Sequence, residues 1–244
     1  VISQSGETAD TLAALRLAKK AGAKIIAITN CVGSSVSREA DYVIYTWAGA
    51  EISVASTKAY TAQLICLYLL AMKAGFSREK LSKAEYENLL KEFETVPDKI
   101  AEVLKDEIAV QKLASKNFNK SSIFYIGRNF DSASCLEAAL KLKEVSYMHS
   151  EAFAAGELKH GPIALIDKST LVVAIASDET LYEKIRSNIV QVKSRGASTI
   201  VITQDEKGYF SDTADEIISL PKISADFAPL LTVIPAQLFA YYCG

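Results

Sequence analysis

The sequence contains an internal repeat with one constant offset. Three separate pairs of segments share it: residues 22–30 with 196–204, Ala40-Asp41 with Ala214-Asp215, and Ala62-Gln63-Leu64 with Ala236-Gln237-Leu238. The differences 196 − 22, 214 − 40 and 236 − 62 all equal 174. Three separated matches at one offset indicate a duplicated structural unit, and this is the strongest constraint on the fold. The chain should therefore contain two copies of one architecture.

Each copy alternates short β-branched runs with longer amphipathic stretches, which is typical of parallel sheets covered by helices. In the first copy this pattern predicts strands near 24–29 and 42–46 and helices near 8–21 and 56–74. In the second copy it predicts strands near 122–127, 170–176, 198–203 and 216–220, and helices near 131–148, 179–195 and 229–242. The fold class is therefore α/β, with two doubly wound, flavodoxin-like, three-layer α/β/α domains.

The two copies differ in how much of the unit they contain. The second copy has a strand and a helix before its turn at Ser177, and the first copy has no counterpart. We therefore expect the first βα unit of the first copy to lie upstream of Val1, in a longer protein. The charged segment 77–99 is predicted to be helical and to continue as helix towards Lys116. The expected boundaries are a first domain at 1–76, a helical connector at 77–98 and a second domain at 99–244.

Composition excludes several classes of function. The chain has 27 basic and 29 acidic residues, a net charge of −2 and no long run of one sign, so a nucleic-acid surface is not expected. The four cysteines, at positions 31, 66, 135 and 243, form no C-x-x-C pair, so we expect neither zinc nor a disulfide framework but a reducing, cytoplasmic setting. The longest apolar stretch, 64–72, is too short to span a bilayer, and no membrane partner is expected.

The opening segment Ser3-Gln4-Ser5-Gly6-Glu7-Thr8 lies where a loop leads from a strand into a helix. Its three hydroxyl groups, its glycine and the free amides of the following helix offer many donors to a phosphate. The alternative is that Ser5 or Thr8 merely caps the helix. The matching turn of the second copy, Ser177-Asp178-Glu179-Thr180, has Asp178 in place of Gly6. A carboxylate there would repel phosphate, so the first copy is predicted to bind an anion and the second is not.

A second serine-rich turn, Ser53-Val54-Ala55-Ser56-Thr57-Lys58, opens the predicted helix at 56–74. Capping of that helix by Ser53 or Ser56 is again the alternative to ligand binding. Both turns belong to the first copy and follow its strands. The carboxyl ends of parallel strands meet at one edge of a sheet, so this second turn is a candidate part of the same ligand site.

Three charged residues of the second copy share one face of a predicted helix. Glu137, Lys141 and Glu144 are spaced by four and three residues, which places them side by side. The alternative is an exposed ladder of ordinary surface salt bridges. Lys143, one position away, is expected to be solvated.

The segment 151–162 fits neither a regular helix nor a strand. Its small residues and the pair Gly161-Pro162 indicate a tightly specified turn that presents Glu157, Lys159 and His160. Histidine is the natural proton carrier near neutral pH, and the alternative for His160 is a purely structural role. His149, at the apolar end of a helix, is assigned to structure.

These motifs together resemble a known family. Residues 139–147 (Ala-Leu-Lys-Leu-Lys-Glu-Val-Ser-Tyr) followed by 157–162 (Glu-Leu-Lys-His-Gly-Pro) closely resemble the glucosamine-6-phosphate synthase family, also called glutamine:fructose-6-phosphate amidotransferases. Residues 3–8 and 54–58 match the same family. Many sugar-isomerase (SIS) domains share the opening motif, whereas the combination with the two later motifs is highly specific. The resemblance covers essentially the whole chain.

The resemblance implies a tandem of SIS domains that converts fructose 6-phosphate and glutamine-derived ammonia into glucosamine 6-phosphate, the first step towards UDP-N-acetylglucosamine. Neither a metal nor an organic cofactor is expected. It implies that Glu144 is the base that moves a proton between C1 and C2, that Lys141 assists it, and that His160 helps to open the sugar ring. The implied substrate contacts are Ser3, Gln4, Ser5 and Thr8 to the phosphate, and Val54, Ser56 and Glu137 to the sugar. His160 would reach the active site of the neighbouring subunit, so a homodimer is implied.

The family also has parts that are not found here. Its glutaminase domain is expected upstream, so none of the four cysteines takes the role of that domain's nucleophile. Its imine-forming lysine belongs to a tail expected beyond Gly244, so this chain alone should bind sugar phosphate weakly and not turn over. Two alternatives remain open: a related SIS-domain deglycase or ketose/aldose isomerase, and a non-catalytic sugar-phosphate sensor.

Overall fold

The computed structural model describes residues 1–244 and divides them into two compact units, 1–90 and 91–244. The elements of the first unit are α1 (Ala9–Lys20), β1 (Ile26–Thr29), α2 (Ser35–Glu39), β2 (Tyr42–Tyr45), α3 (Lys58–Ser77) and α4 (Lys83–Phe93), whose last residues cross the boundary. The strands β1 and β2 pair in parallel, from Ile26 opposite Tyr42 to Thr29 opposite Tyr45. The opening segment adds a parallel bridge between Ile2 and Ile28, which places Ser3 at the edge where β1 ends.

The core of the first unit forms where α1 and α2 cover β1. Four fully or almost fully buried residues make this cluster: Leu15, Ile25, Ala27 and Val36. They come from three elements whose apolar residues recur at the helical and strand periods, so their burial fixes the helices against the strand. The loop between Ile2 and α1 is thereby anchored at both ends.

The second unit contains a five-stranded parallel sheet with the order β4-β3-β5-β6-β7. Its elements are α5 (Val96–Leu104), α6 (Glu107–Asn117), β3 (Ser122–Gly127), α7 (Phe130–Ser146), β4 (Ser150–Ala154), β5 (Thr170–Ala176), α8 (Tyr182–Lys193), β6 (Ser198–Thr203), β7 (Glu216–Ser219) and α9 (Pro229–Cys243). Counted within the unit, this order is 2-1-3-4-5, which is the flavodoxin-like arrangement. The predicted fold class is confirmed.

Helices cover both faces of this sheet. On one face, Phe124 and Ile126 of β3 and Val172 of β5 pack against Ile185 and Ile189 of α8. On the other face, α7 packs on β3 and on α9, and α9 also contacts α5 and α6. All seven residues of β5 are buried, because a central parallel strand has a helical layer on each side.

The repeat is visible as equivalent local structure. At the start of β1 the Asp41 carboxylate accepts a hydrogen bond of 2.9 Å from the Ile25 amide, and the Asp215 carboxylate accepts one of 2.8 Å from the Thr199 amide. These residues differ by the offset of the repeat. The duplicated sequence therefore gives duplicated structure, each copy with its own sheet.

Three details differ from the sequence-based expectation. The predicted helix continuing towards Lys116 is instead three helices, α4, α5 and α6, and Pro97 lies in the first turn of α5, where a proline starts a helix rather than continuing one. The edge strand β4 lies in a segment that was expected to be neither helix nor strand. The stretch 64–72 belongs to the 20-residue helix α3, which by length and composition alone is long enough to cross a membrane; core helices of soluble proteins pass the same test.

Candidate functional site

The loop before α1 folds on itself through its own hydroxyl groups. The Ser3 hydroxyl lies 2.9 Å from the Thr8 hydroxyl and accepts a hydrogen bond of 3.0 Å from the Gly6 amide. The Ser5 hydroxyl accepts one of 3.2 Å from the Glu7 amide. Ser3 is buried, whereas Ser5 and Thr8 are exposed. The loop therefore presents hydroxyl groups at the end of the opening strand, where a phosphate would meet the N-terminus of α1.

Helix capping does not explain these hydroxyl groups. Thr8 occupies the N-cap position of α1, yet its side chain makes no capping hydrogen bond. The Ser5 hydroxyl accepts from Glu7, which lies outside the helix. By contrast, Ser34 does cap α2, because it accepts from the Ser37 amide. The alternative reading of Ser5 and Thr8 as simple caps is therefore wrong for this structure.

Gly6 is the position in this loop that only glycine fits. Its φ angle is +67°, and a Cβ atom there would lie 2.0 Å from the Ser34 hydroxyl oxygen and 2.9 Å from that of Thr29. The neighbouring Glu7 carboxylate accepts a hydrogen bond of 2.8 Å from the Ser35 amide, and the hydrogen bonds from Ser35 lower the pKa of Glu7. The Glu7 carboxylate is thus held at the first residue of α2.

The serine-rich turn before α3 is ordered by Glu51. This carboxylate accepts a hydrogen bond of 2.9 Å from the Thr57 amide, while its other oxygen is buried without a hydrogen-bond partner. The Ser53 hydroxyl donates to the Ala55 carbonyl rather than capping α3. Val54 is fully exposed and Ser56 is half-buried. The turn therefore leaves an apolar side chain exposed beside a hydroxyl group.

The face of α7 that carries Glu137, Lys141 and Glu144 is not a surface ladder. Lys141 Nζ lies 2.5 Å from Glu144 Oε2 and 3.7 Å from Glu137 Oε1. The exposed fractions of the side chains are 4% for Lys141, 10% for Glu137 and 36% for Glu144. The side chains of Lys141 and Glu137 are much more buried than those of solvated pairs, so an ordinary surface ladder does not describe this cluster, although Glu144 is as exposed as Glu39 in the surface pair with Arg16. Lys143 is exposed, as predicted.

Burial changes the acid–base chemistry of Glu137. Desolvation raises its pKa from 4.5 to about 7, against the opposing charge of Lys141. The Oε1 atom is buried and has no hydrogen-bond partner, because the 3.7 Å separation from Lys141 is an ionic contact only. A carboxyl group with this pKa exchanges its proton near neutral pH, which is a property of acid–base sites.

His160 ends a short 3-10 helix, Leu158–His160, in the second unit. Leu158 is buried and anchors this turn, whereas His160 is exposed and its imidazole makes no hydrogen bond. Because an exposed imidazole is hydrated, the lack of a hydrogen-bond partner within the chain leaves both the functional and the structural role of His160 as predictions. His149 is also exposed, with Nε2 3.7 Å from Glu151 Oε1, so burial does not distinguish the two histidines.

The equivalent strand end of the second copy is closed by carboxylates. Asp131 Oδ2 accepts a hydrogen bond of 2.8 Å from the Ser177 amide, and Oδ1 accepts one of 2.6 Å from its hydroxyl group. Asp178 accepts from the Thr180 amide. Counted back from the first helical residue, however, Gly6 corresponds to Glu179 and not to Asp178, which corrects the alignment by one residue. Either residue places a carboxylate where the first copy has a glycine.

Comparison with known proteins identifies the family. The sequence model of the SIS domain matches residues 1–73 and 118–243. The chain belongs to the SIS domain family. Its two matched segments correspond to the two copies of the repeat, so the SIS domain is the unit that was duplicated.

Two proteins are similar to this chain over almost its whole length. The glutamine–fructose-6-phosphate aminotransferase [isomerizing] of Clostridium tetani is 54% identical over 242 residues, which is 99% of this chain and 40% of that protein. The C-terminal domain of glucosamine-fructose-6-phosphate aminotransferase from Francisella tularensis is 35% identical with a TM-score of 0.94, and the match covers 99% of this chain and 69% of that one. The chain thus spans about 40% of the length of its curated relatives, and the solved structure that it matches is a C-terminal domain.

A more distant structure shares the SIS fold alone. A glucosamine-6-phosphate deaminase from Thermotoga maritima is 24% identical with a TM-score of 0.76 over 99% of this chain and 68% of that one. Identity at this level shows the architecture and not the reaction.

Two residues that the sequence did not single out hold the SIS loops in place. Asn30 follows β1, and its side-chain amide donates a hydrogen bond of 2.6 Å to the Gly49 carbonyl and accepts one from the Ala48 backbone amide. The backbone amide of Asn30 donates a hydrogen bond to the Gln4 carbonyl. Its repeat partner Gln204 donates to the Ser177 carbonyl at 2.9 Å and accepts from another loop. The match of Asn30 with Gln204 in the repeat was the available signal.

Proposed function

We propose that this chain is the sugar-phosphate isomerase portion of a glutamine–fructose-6-phosphate aminotransferase, which makes glucosamine 6-phosphate. The observation that carries the proposal is the nearly buried Lys141 between Glu137 and Glu144 on α7. A buried ammonium group flanked by two carboxylates is costly to maintain, and such arrangements occur where proton transfer is needed. The similarity to the isomerase region of this enzyme class supports the assignment.

In this proposal the first unit binds the substrate. Ser3, Gln4, Ser5 and Thr8 hold the phosphate of fructose 6-phosphate, with the N-terminus of α1 adding its positive dipole. Val54 and Ser56 contact the sugar. The exposure of Ser5, Thr8 and Val54 supports these roles, because their side chains are available to a ligand. A firmly held phosphate supplies the binding energy that keeps the sugar carbons in register.

The second unit supplies the acid–base groups. Once an imine forms at C2, the C1 protons become acidic; Glu144 removes one from C1 and returns it to C2, so one carboxylate serves both carbons. Lys141 donates a hydrogen bond of 2.5 Å to Glu144 and thereby fixes the orientation of the base. Glu137, with its pKa of about 7, donates a hydrogen bond to the sugar when it is protonated and accepts one from the sugar when it is ionised.

His160 is assigned to ring opening in a neighbouring subunit. Its exposure and the absence of a hydrogen bond within its own chain support a role towards another molecule. A homodimer follows from this assignment. A glutaminase domain upstream supplies ammonia in the whole protein, and we propose that the protein works in the cytoplasm.

The proposal is tested by Glu144→Gln in the full-length protein. Removing a general base lowers the rate by about 10²–10⁴-fold, and we expect that loss in the formation of glucosamine 6-phosphate from fructose 6-phosphate and ammonia. The matched control is Lys143→Gln, one residue away on the exposed side of α7, which should retain activity. Unchanged turnover in Glu144→Gln would contradict the assignment. Sugar-phosphate binding without any turnover in the unsubstituted protein would favour a sensor instead.

A further inference from the structure

A separate cleft in the second unit is lined by groups that have no role in the proposed reaction. It has a volume of about 370 Å³ and lies between the end of β3, the segment after β4, and α8. The polar groups that matter are Arg128, Lys159, Lys184, Ser187, Asn188 and Gln191. The phosphate-binding loop proposed above belongs to the first unit, so this cleft is a different site.

The charge of this cleft is mainly positive and is not neutralised by the chain. Arg128, Lys159 and Lys184 line it together with one carboxylate, Glu183. None of the three cationic groups lies within 4.0 Å of a carboxylate. The other arginine of α8, Arg186, is by contrast paired with Asp212. Three unpaired cations in one concave site raise the local concentration of anions.

Arg128 is held in place without an ionic partner. Its Nη2 donates a hydrogen bond of 3.0 Å to Oδ1 of Asn188, a residue that is only 5% exposed. Its Nε is buried and has no hydrogen-bond partner. A Cβ atom added to Gly156 would lie 3.5 Å from Nη1, an ordinary contact distance, so the Gly156 backbone lies close beside the guanidinium. A half-buried guanidinium with one amide acceptor lacks compensation for its lost hydration, and a bound anion would provide it.

We propose that this cleft binds the phosphoryl group of a small phosphorylated molecule. The guanidinium fork of Arg128 matches two oxygens of a phosphoryl or carboxyl group. Lys184 lies in the first turn of α8, where the helix dipole adds to its charge, and Lys159 contributes the third cation. Three cations favour a phosphoryl group with two or more negative charges over a singly charged carboxylate. Ser187 and Gln191 are available to the remaining oxygens.

The test is a titration of the chain with inorganic pyrophosphate, followed by amide NMR, which reports each site separately. We expect saturable shifts of the Gly156, Lys159 and Lys184 amides, independent of any shifts near Ser5. Lys184→Gln should weaken this binding about tenfold and Arg128→Gln more strongly. Lys184 is exposed, so its variant reports binding even if Arg128→Gln disturbs the fold. Acetate should saturate the same amides at least tenfold more weakly.

The matched control is Lys112→Gln, which removes one exposed charge from α6, away from the cleft. It should change the pyrophosphate affinity less than twofold, because exposed distant charges are screened. The absence of saturable shifts at Gly156 and Lys159 would overturn the proposal. An equal loss in Lys112→Gln and Lys184→Gln would overturn it too, since binding would then follow net charge. Equal affinities for acetate and pyrophosphate would overturn the assignment to a phosphoryl group.

Discussion

The steric demand at Gly6 gives the sharpest test of the phosphate-binding loop. In Gly6→Ala the new Cβ would lie 2.0 Å from Ser34 Oγ and 2.5 Å from Ser34 Cβ, at a φ angle of +67°. The positive φ costs about 1–2 kcal/mol in an L-residue. Displacing Ser34 loses the cap of α2, about 1 kcal/mol, and the overlap itself adds about 1 kcal/mol or more. We therefore expect the first unit to lose at least about 3 kcal/mol of stability.

Gly33→Ala is the matched control for this substitution. Gly33 also has a positive φ, +75°, but a Cβ atom there meets nothing within 4 Å, so only the backbone cost of about 1–2 kcal/mol applies. Trp47, the single tryptophan, lies in the first unit with its ring centroid 5.8 Å from that of Tyr45, so its fluorescence during urea unfolding reports the loss of that contact in the first unit. Adding Ser34→Gly to Gly6→Ala removes both of the closest contacts and should recover part of the loss. Equal losses in the two alanine variants, or no recovery with Ser34→Gly, would refute the steric argument.

Three further outcomes are expected. Asn30→Ala removes three side-chain hydrogen bonds, to Gly49, Thr46 and Ala48, and should lower the stability of the first unit by about 2–3 kcal/mol in the same Trp47 assay. Gln204→Ala should leave the Trp47 transition unchanged, because its bonds lie in the second unit; an equal shift would contradict the separation of the units. Burial raises the pKa of Glu137 from 4.5 to about 7, so the folded chain binds more protons than the unfolded one between these values and its stability falls as the pH rises through them. Glu137→Gln should flatten that decline, by about 1 kcal/mol after solvent screening, in urea unfolding at about pH 5 and about pH 8; an unchanged slope would contradict it.

The buried strands were predictable because a central strand of a parallel sheet is covered by helices on both faces and is therefore apolar along its length. The strand at 170–176 is apolar without interruption from Leu171 onwards, and the structure places it at the centre of the sheet with the predicted bounds. The edge strand β4 was missed because Ser150–Ala154 contains no β-branched residue. An edge strand pairs with only one neighbouring strand, so its side chains are less constrained to be β-branched. Its position is fixed by tertiary contacts, such as the hydrogen bond of 2.7 Å from the Ser150 hydroxyl to the Ala139 carbonyl of α7.

The candidate site was predictable in residue type but not in environment. The spacing of Glu137, Lys141 and Glu144 fixed their common face, yet the same spacing fits a solvated ladder. What distinguishes the two is the burial of Lys141 to 3% by the packing of α7 against β3 and α9, which depends on residues far away in the sequence. Asn30 was missed for the same reason, since its partners at Gln4 and Gly49 lie on two different loops.

The two copies of the repeat keep the same scaffold and differ in what occupies the strand end. Asn30 and Gln204 are equivalent and both tie loops beside the ends of parallel strands, so this amide is part of the inherited framework. In the first copy the loop at that edge presents hydroxyl groups and Gly6. In the second copy Asp131 provides two oxygens to Ser177, the contacts that an anion would otherwise make, and burial raises the pKa of Asp131. A carboxylate that already accepts hydrogen bonds from both Ser177 donors competes with phosphate for them, so for the second copy we propose other roles, anion binding in the cleft around Arg128 and acid–base chemistry on α7.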